Sequence, residues 1–177
     1  MIFYDPSSGL HNLGTIQLAR SARAPSLARQ AVDAWLGGGH PALEIAQLAA
    51  SELVTNAVTY ADNPAATTLN DPATCALETN SSDDQDNDVL FKLCQSPDCL
   101  RLGVTDPGSS CSKPSAVPLQ APSLNAERGR GLAIVQALSR NRWGSFRLPV
   151  TGGRVVWCHL DLNPTPAQIE ELFLAPV

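Results

Sequence analysis

Two polar residues one helical turn apart are the first candidates for chemistry in this chain. Glu52 and Asn56 are four residues apart in the run Ser-Glu-Leu-Val-Thr-Asn-Ala, so in a helix their side chains share one face. A carboxylate can act as a general base or hold a water molecule. An amide oxygen can bind Mg²⁺, an ion that prefers oxygen ligands. A solvated helix face would contain the same residues, and the spacing alone leaves both interpretations open.

A second candidate group follows a strongly apolar strand. Asp106, Pro107 and Gly108 come directly after the alternating residues 100–105. A carboxylate there can accept a hydrogen bond from an amino group such as that of adenine. Gly108 would let a flat ring approach the backbone. An ordinary turn has the same composition, so this motif alone does not establish a binding site.

A third candidate group opens a predicted helix. Gly129, Arg130 and Gly131 leave backbone N–H groups free to face a phosphate, and a helix N-terminus favours negative charge. Arg128 or Arg130 could add a charged contact. The segment is neither a GxxxxGK[ST] loop nor a GxGxxG turn, and a plain loop before a helix is the alternative.

Hydrophobic periodicity predicts the elements that must position these residues. Period-3.6 patterns predict three helices: one that starts at residues 25–26 and ends at 37–39, one at 41–61, and one at 132–140. Five strands are predicted at 14–20, 89–95, 99–105, 144–150 and 154–161, with full or partial alternation in the first and third and with turn residues between the paired ones. The turns at 96–98 and 151–153 make hairpins of the strands on either side of them. A polar loop spans residues 107–126.

Length and composition predict one domain with a real core. The chain has 177 residues, of which 44% are hydrophobic, and its net charge is -5. Six acidic residues and no basic residue lie in 71–88, within a polar segment, 62–88, that we expect to be a flexible insertion. A further helix is expected at about 165–174, where Thr165 and Pro166 form the cap and first turn.

Several classes of protein are disfavoured. There is no basic stripe of the kind that binds nucleic acid, so we expect no direct contact with it. No apolar run reaches the length of a membrane span, and no secretory signal is visible. Five cysteines, an odd number, then favour reduced thiols and a cytoplasmic location. Cys94 and Cys99 have the spacing of a ligand pair, but no second pair follows that would complete a zinc site.

The order of the three candidate groups resembles that of the histidine-kinase-like ATPase superfamily, known as the GHKL or Bergerat fold. The likeness extends over residues 14–161. Residues 51–58 resemble the family's Asn-containing box, 104–108 its first glycine box, and 127–135 its second. Within the superfamily the chain is similar to actinobacterial anti-sigma-factor serine kinases and related ATP-binding regulators.

The resemblance implies a fold and a set of site residues. The fold would be α/β: a two-layer sandwich of a mixed, mainly antiparallel sheet with helices on one face. The implied cofactors are ATP and Mg²⁺. Glu52 would be the catalytic residue, Asn56 the metal ligand, and Asp106 the reader of the adenine amino group. The remaining nucleotide-binding positions would be Gly108, Arg128, Gly129, Arg130, Gly131 and Leu132.

The implied function is a regulatory protein kinase. It would phosphorylate a serine of an anti-sigma-factor antagonist and bind or release a sigma factor, and a homodimer is common in the family. A non-catalytic module that binds ATP or only partner proteins is one alternative. A histidine-kinase-type catalytic domain that acts on a separate substrate is another. Tyr60, where the family often has His, and Ser110, where it often has Gly, depart from the pattern.

Overall fold

The computed structural model describes residues 9–60, 88–108 and 130–165. Within these ranges lie five strands and three helices. In chain order they are β1 (His11–Leu18), α1 (Ala24–Leu36), α2 (Leu43–Tyr60), β2 (Val89–Gln95), β3 (Cys99–Asp106), α3 (Arg130–Leu138), β4 (Trp143–Arg147) and β5 (Arg154–Asp161). The insertion expected at 62–88 and the helix expected at 165–174 lie outside the described residues, apart from one residue of each.

The strands form one sheet in the order β1-β2-β3-β5-β4. All four pairings between the described strands are antiparallel, which confirms the predicted α/β fold with a mainly antiparallel sheet. Both predicted hairpins, β2–β3 and β4–β5, are present. After β3 the chain forms α3 and then β4 and β5. Strand β5 pairs with β3, and β4 lies beyond it at the edge of the sheet.

Alternation along β3 decides which face of the sheet meets the helices. Leu100, Leu102, Val104 and Asp106 are buried, while the residues between them are partly exposed. Helix α2 packs against β3, and its buried residues join those of β3 in one hydrophobic cluster that also includes parts of α1, β2 and β5. One face of the sheet is therefore covered, and the arrangement has two layers.

Most predicted elements differ from the observed ones at their ends, and the differences are largest in β1, α3 and β4. Strand β1 starts at His11 rather than 14 because residues on both sides of a bulge pair with β2. Helix α3 starts at Arg130 rather than 132 and ends before Arg140 and Asn141, both of which have positive φ angles. Strand β4 ends at Arg147 rather than 150, since the following residues form the turn to β5.

Trp35 packs against the core beside a bulge in β1. The pairing register shifts between Asn12 and Gly14, and a Cβ built on Gly14 would overlap the Trp35 indole ring. That ring stacks on Phe91 of β2 with a centroid distance of 5.8 Å. The missing side chain at Gly14 therefore allows α1 to pack closely on the sheet.

Gly14→Ala should destabilise the fold, because a rigid indole cannot yield to the added methyl group without a shift of helix or strand. We expect a loss of about 1–3 kcal/mol in the free energy of unfolding, the usual scale of overpacking. Chemical denaturation measures it. Gly103→Ala is the matched control, since a Cβ built on that strand residue meets nothing within 4 Å. Equal stability of the two variants would contradict the packing role of Gly14.

No helix in the described part of the chain is long and apolar enough to cross a membrane.

Candidate functional site

Asp106 ends strand β3 on the face that the helices cover. It is 1% exposed, and Ser139 is the only other buried polar or charged residue in the described ranges. The sequence predicts a strand that ends at residue 105, directly before Asp106, and the structure makes Asp106 the last residue of that strand. Because a charge out of water is costly without partners, the environment of this carboxylate must be a set of hydrogen bonds.

Those partners are a backbone amide and an arginine. The Gly108 N–H donates to Asp106 Oδ1 over 2.9 Å. Arg154 Nε donates a hydrogen bond to Oδ2 over 3.0 Å, and Arg154 Nη2 forms an ion pair with the same oxygen at 2.9 Å. Both carboxylate oxygens are therefore engaged, and the charge-assisted hydrogen bond orients the carboxylate.

The turn between β4 and β5 packs against the segment that follows Asp106. Gly108 has a φ of +72°, and a Cβ built on it would lie 2.9 Å from the Gly152 carbonyl oxygen. A Cβ built on Gly153 would lie 3.1 Å from the Asp106 carbonyl oxygen. The predicted role of Gly108 is to make room for a base. In the structure, its missing side chain also makes room for the neighbouring turn.

Glu52 lies on α2 against the first turn of α3. A Cβ built on Gly131 would be 2.6 Å from Glu52 Oε2, so the carboxylate lies directly against the Gly131 backbone. Partial burial raises the pKa of Glu52 through desolvation. This position, at a helix N-terminus, brings the carboxylate next to the place where a phosphate would be favoured.

Asn56 lies one helical turn after Glu52 on α2, and both residues are partly exposed. A carboxylate and an amide oxygen on one accessible helix face are the kind of donors that Mg²⁺ accepts. Glu52 itself lies against Gly131, where α2 packs against α3. The donor types on this helix face are therefore compatible with Mg²⁺, for which Asn56 is the predicted ligand.

The structure thus groups the predicted site residues into two clusters. Glu52 contacts Gly131, while Asp106 contacts Gly108 and is joined by Arg154. The elements carrying these clusters pack against one another, since α2 contacts α3, β3 and β5. Leu132, a predicted nucleotide contact, is partly buried and packs against the core. Arg128 and Gly129 lie outside the described residues, as does the side chain of Arg130.

Arg154 is the residue that the sequence does not single out. It follows the turn residues Gly152 and Gly153 and is the first residue of β5. Its contact with Asp106 arises because the two residues are directly opposite each other in the β3–β5 pairing. A lone cation beside a glycine turn is a weak signal, and only the strand order makes it informative.

Gly131→Ala should impair function without lowering the thermal stability of the protein. Alanine is favoured over glycine in a helix by about 1 kcal/mol, and the atom it meets is the mobile end of Glu52, which can rotate away. For the kinase that the sequence resemblance implies, we expect unchanged or higher thermal stability together with at least a tenfold loss of phosphate transfer. Thermal unfolding and a transfer assay on the same sample measure both. Wild-type transfer by the variant would show that the position of the Glu52 carboxylate is unimportant.

Comparison with protein families identifies the fold. The family model described as histidine kinase-like ATPase domain matches residues 18–158, which include both clusters. The chain therefore belongs to the histidine kinase-like ATPase family, as the sequence resemblance predicts, and membership implies that it binds ATP. A search of curated proteins finds no match.

Proposed function

We propose that the protein is an ATP- and Mg²⁺-dependent serine kinase that regulates transcription by partner switching. Its substrate would be an anti-sigma-factor antagonist, and its second partner a sigma factor. The observation that carries the proposal is the Glu52 carboxylate against the first turn of α3. A base beside a phosphate-binding helix end is what a protein kinase needs in addition to nucleotide binding.

The proposed work of each residue follows from its surroundings. Asp106 accepts a hydrogen bond from the adenine amino group, and backbone N–H groups at the start of α3 bind phosphate oxygens. Asn56 holds Mg²⁺, which when bound offsets the negative charge of the phosphates. Glu52 orients the attacking hydroxyl and accepts its proton, and its raised pKa makes it a stronger base than an exposed carboxylate.

The remaining assignments rest on the resemblance. Cytoplasmic location and a possible homodimer accompany the proposed role, which brings the protein into contact with other proteins and not with DNA. Outside residues 71–88 the net charge of the chain is close to zero. A nearly neutral chain is compatible with binding to other proteins.

A labelling experiment tests the proposal. The purified protein is incubated with γ-labelled ATP, Mg²⁺ and each candidate antagonist. Label that stays on the antagonist in acid indicates phosphoserine and supports the kinase. Acid-labile label indicates phosphohistidine, and thus a histidine-kinase-type activity.

Tight binding of Mg-ATP without any transfer would instead support a non-catalytic binding module. That alternative has one observation in its favour, since both oxygens of Asp106 are already engaged by the protein's own groups. A titration of ATP with and without Mg²⁺ belongs to the same experiment, because it shows whether the nucleotide binds at all.

A further inference from the structure

We infer that Arg154 is a specificity-determining residue that contacts the nucleotide base beside Asp106 and selects the ring nitrogen adjacent to the adenine amino group. The inference rests on the proposed function only in requiring an adenine nucleotide at Asp106. It assigns to the base site a second protein group that belongs to none of the three sequence motifs.

The first argument is the exposure of the two partners. Asp106 is 1% exposed, whereas the side chain of Arg154 is 22% exposed. The arginine is therefore the part of the ion pair that an incoming molecule can touch. In the inferred arrangement, a base that binds the Asp106 carboxylate also lies against the Arg154 guanidinium.

The second argument is the number of guanidinium N–H donors that Asp106 does not engage. An arginine carries five N–H donors. Nε donates a hydrogen bond to Asp106 Oδ2, and Nη2 lies 2.9 Å from the same oxygen in the ion pair. No described residue accepts a hydrogen bond from Nη1. Arg154 can hold Asp106 with one edge and still offer N–H groups to a ligand.

The third argument is the pattern that the pair presents. Asp106 is an acceptor, and the guanidinium N–H groups beside it that no described residue engages are donors. Adenine has an amino donor at position 6 and an unprotonated acceptor nitrogen at position 1, which match an acceptor next to a donor. Guanine has an acceptor oxygen at position 6 and a protonated nitrogen at position 1, which is the reverse. The ion pair therefore favours adenine at two adjacent positions.

The arginine also holds Asp106 in place, because its Nε donates a hydrogen bond to Asp106 Oδ2 over 3.0 Å. Removal of the arginine would leave the carboxylate less well oriented. Discrimination should therefore relax at position 6 as well as at position 1.

The test compares ATP with 1-deaza-ATP, in which carbon replaces the ring nitrogen at position 1. Dissociation constants are measured by calorimetry for the wild type and for the variants Arg154→Met and Arg101→Met. Arg101 is the matched control, because it lies on β3 at a partly exposed position where its guanidinium stands over the Trp157 ring, 5.2 Å from the centroid. Each variant is also checked by thermal unfolding.

We expect the wild type and Arg101→Met to bind ATP about tenfold more tightly than 1-deaza-ATP, the ratio for a lost hydrogen bond to a charged donor. In Arg154→Met the two ligands should bind within about twofold of each other. The preference for ATP over GTP should fall in the same variant and not in the control.

Two results would overturn this inference and leave the proposed function standing. One is equal binding of ATP and 1-deaza-ATP by the wild type, a result that does not depend on any variant folding. The other is a tenfold preference that survives in a folded Arg154→Met. A wild type that binds neither nucleotide would overturn the proposed function together with the inference, so the two failures are distinguishable.

Discussion

Glu52→Gln should slow phosphate transfer by about 10²–10⁴-fold, the usual contribution of a general base, while ATP binding stays within about twofold of the wild type. The substitution keeps the size of the side chain against Gly131 and removes its ability to accept a proton. Transfer to the antagonist and nucleotide affinity are measured on the same preparations. Glu44→Gln is the matched control, because Glu44 is an exposed carboxylate in the first turn of the same helix.

Asn56→Ala should impair a different step, the binding of ATP in the presence of Mg²⁺. Its loss removes an oxygen ligand, so ATP binding in the presence of Mg²⁺ should weaken, while binding without Mg²⁺ should not change. If Glu52→Gln transfers phosphate at the wild-type rate, Glu52 is not the base. If both variants lose nucleotide binding to the same extent, the two residues do not have separate tasks.

The raised pKa of Glu52 adds a pH dependence to this prediction. Transfer requires the ionised carboxylate, so the wild-type rate should fall at acid pH with a midpoint above the ordinary carboxyl range. In the folded state Glu52 holds its proton more tightly than in the unfolded state. Its contribution to stability is therefore most favourable at low pH and declines as the pH rises through the folded pKa. Glu52→Gln should lose this decline and be slightly more stable than the wild type at neutral pH.

Asp106→Ala should destabilise the fold by about 3–5 kcal/mol, the cost of removing one partner of a buried ion pair. Arg154 would keep its charge at a site where the carboxylate was 1% exposed, and the Gly108 N–H would lose its acceptor. Nucleotide binding should be lost in the same variant. Denaturant unfolding gives the free energy, and calorimetry gives the affinity.

The double variant Asp106→Ala with Arg154→Met separates the charge from the packing. If the unpaired arginine causes most of the loss, the double variant should be more stable than Asp106→Ala alone. Both variants should still fail to bind ATP, since neither has an acceptor for the amino group. A double variant that loses the sum of the two single effects would show that the ion pair contributes no coupling energy.

Much of the fold follows from local pattern. The strands predicted at 89–95 and 154–161, each of them next to a hairpin turn, are β2 and β5 with their observed bounds. The long period-3.6 stripe in 41–61 predicts α2, and the motifs within and after these elements predict the family to which the chain belongs. These signals are readable because a strand or helix with one buried face repeats its apolar residues at a fixed interval, which depends only on neighbours along the chain.

The contacts inside the site depend on pairings between distant residues. Arg154 meets Asp106 because β5 and not β4 lies beside β3, and the register of that pair sets the two residues opposite each other. Gly131 contacts Glu52 because α3 packs against α2. No local periodicity encodes strand order or helix contact, since both are set by how the whole sheet buries its apolar face. The sequence by itself therefore determines the elements and the candidate residues, and the tertiary structure decides which partner each of those residues has.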